Sequence, residues 1–214
     1  MFCHHDKVSL RTDIAAEIVA RDRAFAPVVA VVGAVPARRP APVDQRFANL
    51  IGSITYQLLA TAAARTIHAR VVDACGGHVS IESVLRAGPD ALRGAGLSRT
   101  KAAAMLDLAA HARDGRIHLS AHGRRSDAEI VSELTSVHGV GPWTVQMYLM
   151  HTLGRRDVWP VGDFGVRHGW SLLHGLEEMI DEKSLRPHGE RFIGVRSDVA
   201  WYCWQAVHLH RSSQ

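Results

Sequence analysis

The stretch "HGVGPWTVQM" (138–147) decides how the chain is read. Before it, "SDAEIVSELTSV" (126–137) opens with Ser126 and places Glu129 three residues on, the spacing of a capping box. Ile130, Val131, Leu134 and Val137 then form one apolar helical face. After it, Pro142 suits the first turn of a new helix. Trp143, Met147 and Met150 follow on one side, Val145, Leu149 and Leu153 on another, until Gly154 ends the run. The pattern predicts helix, four-residue hairpin, helix. The glycines either just allow a tight αα turn or clear the way to N–H groups at a helix start, where a Cβ would hold a phosphate off. Gly139-Val140-Gly141 alone does not choose between these.

The same helical spacing extends outward. Phe47, Leu50, Ile51 and Ile54 make one stripe, and Ile67, Val71 and Val72 another. "IESVLRAG" (81–88) and "PDALRGAG" (89–96) read as short helices stopped by glycine, and "SRTKAAAMLDLAAHARDG" (98–115) as a longer one. "VPARRPAP" (35–42) is an extended connector. "APVVAVVGAV" (26–35) is ambiguous, because its β-branched content suits a strand for which no partner is evident. No sustained alternation of period two occurs, and the chain reads as all-α.

Composition excludes several classes. No apolar run approaches the roughly 20 residues a membrane helix needs. The start lacks a secretory core, so an intracellular site is expected, cytoplasmic or at the nucleoid in a bacterium. Cys3, Cys75 and Cys203 are too few for a four-thiolate cluster. His4, His5, His208 and His210 lack the third ligand of a zinc helix, and no metal site is expected. Lys and Arg number 25 against 21 Asp and Glu, a balance that suits a polyanion without demanding one.

Farther on comes "RRDVWPVGDFGVRHGW" (155–170), whose Pro-Val-Gly-Asp loop delivers Asp163 to a helix start. "GVGPWT" followed at this distance by "DVWPVGDFGVR" resembles the helix-hairpin-helix DNA glycosylase superfamily, within it the 3-methyladenine DNA glycosylase II branch. "RFANLIGSITYQLLATAAARTI", "LRGAGLSRTKAAAMLDLA" and "VRSDVAWYCW" resemble further segments of that branch. The resemblance implies two helical lobes with a cleft for DNA and base between them. One would be residues 1–51 with 155–214, the other 52–154 with the helix-hairpin-helix at 126–154. A compact form without the branch's N-terminal β domain is implied.

On this resemblance Asp163 is the catalytic carboxylate. Breaking the base–sugar bond develops positive charge at C1′, which a carboxylate stabilises while orienting the attacking water. Asp157 is the local rival. Trp143 stands where lyase members carry a Schiff-base lysine, so the implied reaction is base release without strand cleavage. Trp143, Met147, Tyr202 and Trp204 would line the base pocket, an indole face suiting an electron-poor alkylated purine. Gly139, Val140, Gly141 and Thr144 would hold one phosphate of double-stranded DNA, with a monovalent cation on hairpin carbonyls and no iron–sulfur cluster. Gln57 and Leu58 would wedge the gap left by the flipped nucleotide. The chain is expected to act as a monomer.

Some positions depart from the branch: "YQLL" replaces a polar loop, and Met147 stands where some relatives have a pocket tyrosine. Two other readings remain open. A non-catalytic helix-hairpin-helix DNA-binding protein would need only the hairpin and basic charge. A glycosylase for another lesion, such as hypoxanthine or uracil, would keep the mechanism and alter the pocket.

Overall fold

The computed structural model describes residues 14–57 and 61–212. No strand occurs among them, and the chain divides into two compact units, Arg39–Gly154 and Met1–Arg38 with Arg155–Gln214. The first division falls in the proline-rich connector. A boundary at 51/52 would instead cut through a helix that lies wholly within Arg39–Gly154.

In the unit Arg39–Gly154, α3 (Arg46–Tyr56) buries Phe47, Leu50, Ile51 and Ile54, the stripe its spacing requires. It packs on α4 (Thr61–Ala74), α6 (Arg99–Arg113) and α8 (Pro142–Met147). The last turn of α3 is held by Lys101, whose Nζ donates to the carbonyls of Thr55 (2.8 Å) and Gln57 (2.5 Å), a cation on a helix C-terminus. Between these elements α5 (Ile81–Gly94) packs on α6 and breaks at Gly88-Pro89, where φ is 69° at the glycine.

Then α7 (Asp127–Leu134) opens with the Ser126–Glu129 capping box. The second hairpin helix, α8, runs into a π turn at Tyr148–Thr152. A buried polar network fixes these two helices. Glu133 of α7 pairs with Arg125 and takes a hydrogen bond from His122, whose other ring nitrogen meets the Tyr148 hydroxyl at 3.0 Å. Burial, with Arg125 and Arg46 nearby, lowers the His122 pKa to about 4, so the imidazole is neutral. It therefore donates through Nε2 to the carboxylate and accepts from the tyrosine at Nδ1.

The other unit joins α1 (residues 14–21) and α2 (Ala26–Val32) to α9 (Phe164–Leu173), α10 (Glu182–Leu185) and α11 (Arg196–Ser212). Residues 26–32, which could have been a strand, are helical. Pro27 sits in the first turn, and the small penalty of β-branched residues is outweighed by packing against α11. Phe25 meets Trp170, Phe192 and Tyr202 edge-on at centroid distances of 5.8, 5.7 and 6.4 Å. The crossing of α9 and α11 is close enough that a Cβ on Gly169 would lie 1.9 Å from the Cys203 carbonyl oxygen, so only glycine fits.

Candidate active site

Asp163 is the N-cap of α9. The loop before it closes through the Asp163 N–H, which donates to the Pro160 carbonyl at 2.9 Å. Its Oδ1 accepts the Val166 N–H at 2.8 Å and, also at 2.8 Å, the indole Nε1–H of Trp204 on α11. The carboxylate is half-buried. Asp157, in contrast, is engaged elsewhere. Burial opposes its ionised form, but the Arg196 guanidinium at 2.7 and 2.9 Å and the Gly194 N–H outweigh that and hold the carboxyl below its ordinary range. Arg196 spends its charge on this pair.

The hairpin lies in the other unit. Gly139 has φ 76°, and a Cβ there would come 2.8 Å from the Ala104 Cβ on α6. Asp107 of α6 accepts the His138 N–H at 2.8 Å. An open groove follows Thr135 to Gly141, with Asp107 at its side. Within it the N–H groups of Gly139 and Gly141 have no acceptor among the described residues, while the Val140 N–H is donated to the Val137 carbonyl at 3.1 Å. Two N–H groups of the three therefore remain without an acceptor among the described residues. Val140 itself is buried and closes the turn from inside.

Gln57 spans the base of the hairpin. Its amide donates to the Gly139 carbonyl (3.2 Å) and to Thr144 Oγ1 (2.7 Å). Thr144 is only 2% exposed, so its hydroxyl holds Gln57 rather than facing a phosphate. Gln57 is thereby a brace of the hairpin instead of half a wedge. Leu58, the other half, lies outside the described residues.

The profile of the HhH-GPD superfamily of base excision DNA repair proteins matches residues 51–193. The chain belongs to that superfamily. DNA-3-methyladenine glycosylase 1 of Schizosaccharomyces pombe is 28% identical over 185 residues, 85% of this chain and 81% of that protein. Among solved structures, the S. pombe 3-methyladenine DNA glycosylase in complex with abasic DNA superposes with a TM-score of 0.82 at 28% identity, covering 89% of this chain and 95% of that one. The DNA-3-methyladenine glycosidase of Bacillus halodurans gives 0.75 at 30% identity, covering 92% and 89%.

The remaining site residues of this HhH-GPD chain are distributed unevenly. Trp143 is half-buried at the start of α8, and Met147, one turn on, is 8% exposed. Tyr202 is not a pocket wall. It is fully buried, and its hydroxyl donates to the Gly33 carbonyl at 3.0 Å, which makes it core. Trp204 carries a hydrogen bond that its sequence did not announce. The one hint lay in Gly165, whose added Cβ would sit 2.7 Å from Trp204 Cδ1. No helix is long and apolar enough to cross a membrane among the described residues, nor do three metal-ligating side chains meet there.

Proposed function

We propose that this protein is a monofunctional DNA glycosylase of base excision repair that hydrolyses the N-glycosidic bond of alkylated purines, 3-methyladenine and 7-methylguanine among them. The observation that carries the reading is Asp163 as N-cap of α9, its Oδ1 held by two N–H donors, in an HhH-GPD chain. Relatives named as 3-methyladenine glycosylases supply the substrate class.

The Gly139 and Gly141 N–H groups bind one phosphate of the damaged strand and set the register of the duplex without reading its sequence. The target nucleotide leaves the stack at a cost of a few kcal/mol, less where the pair is already damaged. Trp143 offers its π face to the cationic purine. Asp163 then stabilises the positive charge growing at C1′ as the base departs, and directs water to that carbon. Trp143 has no amine to attack C1′, and the Lys101 ammonium is bound to two backbone carbonyls, so the strand is left uncut.

A monovalent cation at the hairpin belongs to the same proposal. Its donors would be neutral carbonyl oxygens such as that of Val137, which keeps a lone pair beyond the one given to Val140, a set that suits a hard ion. The enzyme would work as a monomer, since one chain holds both hairpin and carboxylate.

The test is release of free bases from purine-methylated duplex, separated by chromatography. Wild type is expected to liberate 3-methyladenine or 7-methylguanine, and Asp163→Asn to lose at least about 100-fold in rate. Equal rates would move the acid elsewhere. Borohydride trapping of a protein–DNA adduct would overturn the monofunctional assignment.

A further inference from the structure

Two hydrogen bonds converge on one oxygen of Asp163, and they differ in origin. The bond from the Val166 N–H is what any capping aspartate makes with the third residue of its helix. The bond from Trp204 Nε1 comes from an element 41 residues away, and the fold around it is shaped to permit it. Gly165 and Gly169, one turn apart on α9, both lie beneath α11. A Cβ at Gly169 would strike the Cys203 backbone, and one at Gly165 would strike the indole of Trp204 at Cδ1 (2.7 Å) and Nε1 (3.0 Å). Glycine is a poor helix former, so two such residues in ten need a reason. Here they let the Cys203–Trp204 step settle onto α9 until the indole N–H reaches the carboxylate.

We infer that Trp204 is the positioning residue of Asp163. Its N–H fixes the carboxylate in place before the glycosidic bond lengthens. An indole suits this role because it only donates. It has neither tautomer nor titration to weaken the bond across the working pH range. The arrangement repeats the logic of a catalytic base oriented by a third group, with a backbone amide and an indole sharing the task. Trp204 therefore acts through Asp163. The inference rests on Asp163 being the catalytic carboxylate.

Trp204→Phe keeps a ring and removes the donor. With methylated duplex as substrate, kcat is expected to fall about tenfold while KM, and Kd for abasic duplex, stay within about twofold. In an Asp163→Asn background the same substitution should cost nothing more. Unchanged kcat would overturn the inference, whether KM stays constant or rises. Should Trp204→Phe fail to fold, the indole N–H resonances of the wild type decide. One of the five tryptophan indole N–H signals should shift in Asp163→Asn, and absence of any such shift rejects the role. A wild type that releases no alkylated purine would instead refute the alkylpurine reading itself.

Discussion

At Gly139 the backbone turns left-handed and touches α6, whereas at Gly141, two residues on, φ is −94° and an added Cβ would meet nothing within 4 Å. The fold explains the first glycine and offers no reason for the second. An outside body that must come close to the Gly141 N–H would supply one. The two alanine variants therefore separate. Gly139→Ala should lower stability by about 1–3 kcal/mol through its dihedral and its contact with Ala104, visible as a drop in Tm. Gly141→Ala should melt like wild type but bind duplex DNA about tenfold more weakly in a titration at fixed salt. A Gly141→Ala protein with native affinity would remove the phosphate from the hairpin. This distinction could not be read in "HGVG", because sequence shows two identical residues and only the backbone angles and neighbours tell them apart.

Elements position the hairpin more than its own residues do. Gln57, just beyond α3, ties the Gly139 carbonyl to Thr144, and Lys101 of α6 in turn holds the Gln57 carbonyl. Removing the amide should loosen the turn without emptying a core. Gln57→Ala is expected to weaken DNA binding about three- to tenfold, with Tm lowered by only a few degrees, as one or two hydrogen bonds allow. Affinity equal to wild type would show that the hairpin needs no brace. The helices themselves were legible: the α3 stripe, the Ser126 capping box and the break at Gly88-Pro89 all follow from local spacing. The Ala26–Val32 helix was not, because its valines favour a strand locally and only packing against α11 decides. Nor were the partners of Gln57, Tyr202 and Trp204, which lie between 41 and 169 residues away and leave no periodic mark.

Across the molecule, acid should act through two carboxylates of the unit that contains both chain ends. Asp22 is disfavoured by burial, yet His174, the Ala24 N–H and Arg191 outweigh this and lower its pKa, as Arg196 does for Asp157. Groups that titrate lower in the folded chain lend stability above their unfolded pKa and lose it as pH falls through the folded value. That unit should therefore weaken below about pH 4. Trp159, Trp170, Trp201 and Trp204 all belong to it, so near-ultraviolet circular dichroism will report the change. Asp157→Asn should lower Tm clearly at pH 7 and less at pH 3, below the ordinary aspartate pKa of about 3.9, where the unfolded carboxyl already binds a proton. An equal loss at both pH values would mean the pair contributes nothing through charge.

The division of the chain also sets a timetable. Residues 39–154 form a compact unit from one uninterrupted segment, so during synthesis everything they need has been made once Gly154 emerges. The other unit must wait for α11 to close on a partner made long before it. Asp163 leaves the ribosome 41 residues ahead of the indole that holds it. A nascent or truncated chain ending before Trp204 thus carries the whole of residues 39–154 while Asp163 still lacks its indole donor.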